Sequence, residues 1–236
     1  MKFDVRSNFR DLERSLSDVG QKQLPFATAL ALNDTAKEIV DALRDHMGRV
    51  FDRPTRWTMN AFHFRRATKT SLSAVIERKT SIRGRHYLEV QAAGGRRPNT
   101  GWEKQIGQKL GLDVGYMSGT GRLKRDGYGN IPRGGMQRIL SRIGASSLTG
   151  SNSTASSRRR ANGVGKYFVG GPRNNLRPGV YERTRAGIHR VLAFNTKTPN
   201  YSPRFRFEAV AHETVGRVLE MHLGRRLAEA MKTARR

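Results

Sequence analysis

Charge constrains this chain more than any other feature: forty-five Lys and Arg stand against nineteen Asp and Glu, a formal net charge of +26 over 236 residues. The sequence isoelectric point is near 11.5. A compact fold with that much like charge repels itself unless polyanions or ordered counterions neutralise it. The charge therefore points to nucleic acid, an anionic membrane or acidic protein surfaces as neighbours. A content of 36% hydrophobic and 8% aromatic residues still permits a packed core. The absence of cysteine removes disulfides, thiol catalysis and Cys-ligated zinc in one step. No apolar run approaches the roughly 20 residues of a membrane span, so a chain outside the membrane is expected.

Two segments read as long amphipathic helices. From Pro25 to about Phe51, Leu32, Ala36, Ile39, Val40, Leu43, Met47 and Val50 recur at helical spacing, with Asp34, Lys37, Glu38, Asp41 and Arg44 opposite. From about Phe205 to Arg236 a second stripe runs through Phe207, Ala211, Val215, Val218, Leu223, Leu227 and Met231. A shorter helix is expected over Phe9–Val19, broken by Gly20 and Pro25. Strand character falls at Phe3–Val5, Leu72–Arg78, His86–Val90, Lys166–Val169, Gly179–Arg183 and Ile188–Phe194, the last three as antiparallel neighbours. A short helix is expected from Gly101 to about Gly111, and Met136, Ile139, Leu140 and Ile143 offer a further helical face.

Between these lies a stretch rich in Gly, Ser, Asn and Arg. The reading is a single α+β domain over 1–236: two long helices on a small antiparallel sheet, with a basic, loop-rich Gly/Ser excursion at about 98–178. Segment 144–160 is expected to be flexible, because Ser, Thr, Gly and Asn cannot bury enough surface to offset ordering entropy.

The chemistry of the chain is thin in catalytic signals. His212 and Glu213 are adjacent, with His222 ten positions along, but paired zinc-binding histidines need i, i+4 spacing and position 216 is Gly. Gly163-Val164-Gly165-Lys166 lacks the upstream glycine and the following Ser or Thr of a phosphate loop. From Arg96 to Arg190 only Glu103, Asp113, Asp126 and Glu182 are acidic, too few for the clustered carboxylates of a two-metal nuclease. No catalytic residue, cofactor or metal site is expected.

The basic segment is the strongest constellation. Arg96, Arg97, Arg122, Lys124, Arg125, Arg158, Arg159, Arg160, Lys166 and Arg173 are the candidate polyanion contacts, since guanidinium and ammonium groups on loops reach phosphate oxygens without reading sequence. Aromatic and basic residues interleave in Phe62-His63-Phe64-Arg65-Arg66 and Arg204-Phe205-Arg206-Phe207. That pattern suits a base-stacking platform or, the favoured reading, phenylalanines in a core with arginines outside.

The run Leu24-Pro25-Phe26-Ala27-Thr28-Ala29-Leu30-Ala31-Leu32-Asn33-Asp34-Thr35-Ala36 resembles the opening of the minor tail protein Z family of lambda-like phages, as does the step Arg66-Ala67-Thr68 before a strand. Tyr87–Arg97, Asp126–Ile131 and Tyr167–Gly170 resemble prophage virion proteins of the same neighbourhood. The resemblance implies a non-enzymatic structural virion protein of a tailed bacteriophage, at the head–tail junction (neck) or upper tail. Such a protein acts in tail completion and head–tail joining. It would be a homo-oligomer, in a ring or symmetric copies, against portal, adaptor or tail-tube proteins and packaged DNA, without a membrane partner. It would be assembled in the host cytoplasm and reside in the virion. A sequence-nonspecific nucleic-acid-binding protein is the alternative, resting on the same charge.

Overall fold

The computed structural model describes residues 1–6, 18–79, 87–146, 152, 154–160 and 166–234. The fold is mixed α+β with small antiparallel sheets. The chain divides into two compact units, Met1–Gly94 with Ser202–Arg236, and Gly95–Tyr201, where the sequence suggested one domain with an insertion.

In the first unit, strands β1 (Lys2–Arg6), β2 (Phe62–Arg65) and β3 (Ser73–Arg78) form an antiparallel sheet of order β1-β3-β2. Helix α1 (Asp18–Val50) packs on it, and a short helix α2 (Arg56–Met59) leads into β2. In α1, Leu32, Ala36, Ile39, Leu43 and Met47 are all 1% exposed or less, so the apolar stripe is the buried face. The break expected at Gly20 and Pro25 does not occur. Helix α1 runs through both, since proline withdraws one N–H from the ladder without removing the turns on either side. Of the helix expected over Phe9–Val19, residues 9–17 lie outside the described residues.

Helix α7 (Phe207–Ala234) lies along α1 and buries Phe207, Ala211, Thr214, Val218 and His222. The two helices are joined by charge as well as by apolar contact. Asp34 of α1 accepts from Arg225 at 2.9 Å and from Arg226 at 2.8 Å, while His222 Nε2 and Glu38 Oε1 lie 2.8 Å apart. A guanidinium only donates, so Nδ1 of His222 accepts from Arg225 at 3.0 Å and its Nε2–H donates to Glu38. Phe205 (1% exposed) and Phe207 (3%) stack against Phe62, with ring centroids 5.6 and 5.1 Å away, while Arg204 and Arg206 are exposed. The interleaved phenylalanines are therefore core residues, and no stacking platform exists at these two places.

Of the strand expected at His86–Val90, His86 lies outside the described residues and Tyr87–Val90 is not strand. Leu88–Ala93 is helix α3, in which Leu88 alone is fully buried and Gln91, Ala92 and Ala93 supply good helix formers. Gly94 and Gly95 follow with φ of 75° and 91°, backbone that residues with a Cβ rarely adopt, and they turn the chain into the second unit.

The second unit is closed where its ends meet, strand β4 (Gly95–Arg96) pairing with β9 (Asn200–Tyr201). Its larger sheet has the order β5-β8-β7-β6, all antiparallel: β5 (Tyr116–Gly119), β6 (Lys166–Gly170), β7 (Gly179–Thr184) and β8 (Gly187–Asn195). Helices α4 (Gly101–Leu110) and α5 (Arg133–Arg142) contribute Ile106, Met136, Ile139 and Leu140 to a core shared with Val180, Val191, Leu192 and Phe194 of the sheet. The stretch 98–178, expected as a loop-rich excursion, thus lies inside a unit with its own hydrophobic core. Its apolar residues are sparse, but two amphipathic helices bring them onto one sheet face. In the segment expected to be flexible, residues 147–151 and 153 lie outside the described residues, and Ala155–Arg160 is helix α6. Arginine is a good helix former, and no Gly or Pro interrupts that run.

Candidate polyanion interface

The second unit carries twenty Lys and Arg against four Asp and Glu, a net of +16. The ten predicted contacts fall within it, but they do not all face outward. Arg97 is half-buried. Its Nη1 and Nη2 donate to the two carboxylate oxygens of Glu103 at 2.9 and 2.6 Å, and its guanidinium lies 5.1 Å from the centroid of the Tyr116 ring. Glu103 is 2% exposed and is also held by the N–H groups of Thr100 and Met117, at 2.6 and 2.9 Å. Burial works against ionisation of Glu103, yet the bonds from Arg97, Met117 and Thr100 outweigh it and keep the carboxyl below its ordinary range. The same bond to Glu103 raises the pKa of Arg97. The expectation that Arg97 touches a polyanion gives way to an internal role: it ties the start of α4 to β5.

Arg125 is exposed, but its guanidinium donates to the carbonyls of Gly119 at 3.0 Å and Gly129 at 2.9 Å, bracing the 120–130 loop. Asp126 Oδ1 accepts from the N–H groups of Tyr128 and Asn130, at 3.0 and 2.8 Å, and tightens the same loop. Arg122 and Lys124 are therefore exposed on an ordered loop. Arg96 is exposed on β4, and Arg173 is exposed in the single 3₁₀ turn Pro172–Asn174. Arg159 is exposed on α6, whose backbone also carries Arg158 and Arg160; Lys166 opens β6.

Further cations of the same basic segment stand outside as well, and of these Arg183 alone is not among those the sequence singles out. Arg133 and Arg138 are exposed on α5, and Arg183 on β7 stands 5.8 Å from the centroid of Phe168. Strand alternation carries the signal for Arg183, since it lies two residues beyond Tyr181 and shares its face of the sheet. Among the described residues of this unit, Arg97–Glu103 is the one ion pair. The histidines do not assemble a metal site: among the described residues no group of three or more His, Asp or Glu could hold an ion. No helix among them is long and apolar enough to cross a membrane.

Compared with known protein families, with curated proteins and with solved structures, the chain matches none.

Proposed function

We propose that the chain is a non-enzymatic structural protein of a tailed-phage particle, of the tail-completion kind, acting at the neck or upper tail as a homo-oligomer. In this reading its Gly95–Tyr201 unit rests against a polyanion, either the end of the packaged genome or an acidic face of a portal, adaptor or tail-tube protein. The observation that carries the proposal is the concentration of uncompensated charge, +16, in a unit whose acidic residues are few. Repeated copies of such a unit around a symmetric channel would hold a phosphate backbone without base readout.

A second observation supports reading the resembling segments together. Asn33 of the first donates from Nδ2 to the Ala67 carbonyl at 3.0 Å and accepts from the Ala67 N–H at 2.8 Å, clasping the Arg66-Ala67-Thr68 step to α1. Mass spectrometry of purified particles and co-assembly with portal and tail components test the proposal. The expected outcome is a fixed copy number in the mature particle; absence from particles together with failure to co-assemble overturns it.

The alternative, a free sequence-nonspecific nucleic-acid-binding protein, is favoured by the exposure of Arg96, Arg122, Lys124 and Arg173 on the isolated chain. Salt-dependent duplex binding by soluble monomer, without any role in particles, would select it.

A further inference from the structure

A cavity of about 420 Å³ opens at the edge of the second unit's sheet, lined by Arg142 and Ile143 at the end of α5, Ala155 and Arg159 of α6, and Tyr167, Phe168 and Val169 of β6. Its size lies within the roughly 300–1,000 Å³ range of small-ligand clefts. Strand β6 is the outermost strand, so both of its faces border the opening. Tyr167 and Val169 come from the core side and Phe168 from the opposite side, where it stacks on Tyr181 at 5.8 Å.

We propose that this cavity takes one unpaired nucleotide of a single-stranded nucleic acid straddling the free edge of β6, its base on Phe168 and its phosphate between Arg142 and Arg159. The inference rests on the polyanion-facing reading of this unit and gives it a ligand class. Among the described residues, two cations from separate elements line the cavity and no carboxylate does. Neither Arg142 nor Arg159 has an ion-pair partner among the described residues. Glu182, the nearby acid, stands opposite Tyr167 in the β6–β7 register and is not among the described residues that line the cavity.

An acidic peptide side chain would satisfy the guanidinium groups but leave the aromatic and aliphatic wall unfilled. A nucleotide fills both, since a base presents a π-face a few ångströms from its phosphate. A base held in a duplex is stacked and paired and cannot enter, so the site predicts a preference for unpaired strand.

The test is fluorescence anisotropy on the full chain at low salt, with four probes: a twelve-nucleotide oligothymidylate, an abasic oligomer of the same phosphate count, a duplex and inorganic polyphosphate. Oligothymidylate is expected to bind about tenfold more tightly than the abasic oligomer, the scale of one aromatic–base stack. Phe168→Leu keeps an apolar group on the strand and is expected to abolish that difference while leaving polyphosphate binding unchanged. Arg142→Gln with Arg159→Gln is expected to weaken both oligomers about tenfold. Because Arg159 is exposed, its variant reports even if Phe168→Leu fails to fold. Equal binding of the thymidylate and abasic oligomers by wild type overturns the nucleotide site alone, as does a base-dependent preference that survives Phe168→Leu. Failure to bind any of the four probes overturns the nucleotide site together with the genome-contacting form of the polyanion reading.

Discussion

The two units solve the problem of a basic chain in opposite ways. The first carries twenty-five Lys and Arg against fifteen Asp and Glu, and several of its cations are paired within the fold: Arg225 and Arg226 on Asp34, Arg65 and Lys2 on Glu77, Arg78 on Glu89. The second carries twenty against four, and among its described residues Arg97 alone has a carboxylate. Charge in the first unit serves its own packing. In the second it is held outward on an ordered scaffold, where like charges repel one another and lower stability.

The largest effect expected from this contrast is in binding. If the second unit neutralises about six phosphates, its affinity for duplex DNA should fall roughly a thousandfold between 50 and 200 mM salt. Arg122→Gln and Lys124→Gln should each reduce the slope of log affinity against log salt by about one. Arg65→Gln, in the first unit, should leave it unchanged. Anisotropy titrations across salt concentrations measure all three, and an equal change from Arg65→Gln would break the division of labour between the units.

Next in size is the core of the first unit. Phe205 is 1% exposed and meets Phe62, Phe51 and Phe207, so Phe205→Ala should cost about 3–5 kcal/mol in chemical denaturation, as deletion of a buried aromatic leaves a cavity that closes poorly. The salt slope of the folded fraction should be unaltered, since the substitution removes no exposed cation.

Legibility from sequence divides along similar lines. The stripe Leu32, Ala36, Ile39, Leu43, Met47 stands out because the apolar residues are dense and their neighbours charged, and the three strands from Lys166 to Asn195 stand out because aromatic and β-branched residues cluster between glycines. The core of the second unit does not, because Ile106, Val114, Met136 and Leu140 are diluted among Gly, Ser and Arg and are gathered only by tertiary folding. Segment Tyr87–Val90 misleads because Tyr, Leu and Val have strand character, whereas the Gln-Ala-Ala that follows decides for helix. At the candidate interface the supply of cations is plain, but their availability is not. Nothing in the spacing of Arg97 and Arg125 separates them from Arg96 and Arg122; only the meeting with Glu103 and with two glycine carbonyls does. The cavity is likewise invisible, since Arg142, Arg159 and Phe168 come from three elements.

The buried pair of the second unit should matter more than any exposed one. Glu103→Ala leaves the Arg97 guanidinium without its carboxylate and should cost about 3 kcal/mol, because removing one partner strands a half-buried charge. The same pair sets an acid limit. The Glu103 carboxyl is depressed in the folded chain, so its contribution is complete above its ordinary unfolded value and is lost as pH falls through the lower folded one. Thermal melts between pH 7 and pH 3 should therefore show a loss of stability in wild type that is smaller in Glu103→Ala.

The smallest effect belongs to the charge clamp between the long helices. Burial opposes ionisation of Asp34, but the hydrogen bonds and charge of Arg226 and Arg225 hold its carboxyl below the usual range, so Asp34→Asn removes a real interaction. Its cost should nevertheless stay near or below about 1 kcal/mol, because partly exposed ion pairs are screened by water and salt. Arg225 is half exposed, and Arg226 retains Glu229 at 2.8 Å as a second acceptor. Neither cation is stranded when Asp34 loses its charge, and the buried stripes of both helices remain. Urea unfolding at low and at 1 M salt checks this: the difference from wild type should be small and should shrink further in high salt. A loss of more than about 2 kcal/mol that persists in 1 M salt would mean that the first unit depends on its internal charge pairs as heavily as on its apolar core, and the contrast with Arg97–Glu103 would then be one of number alone.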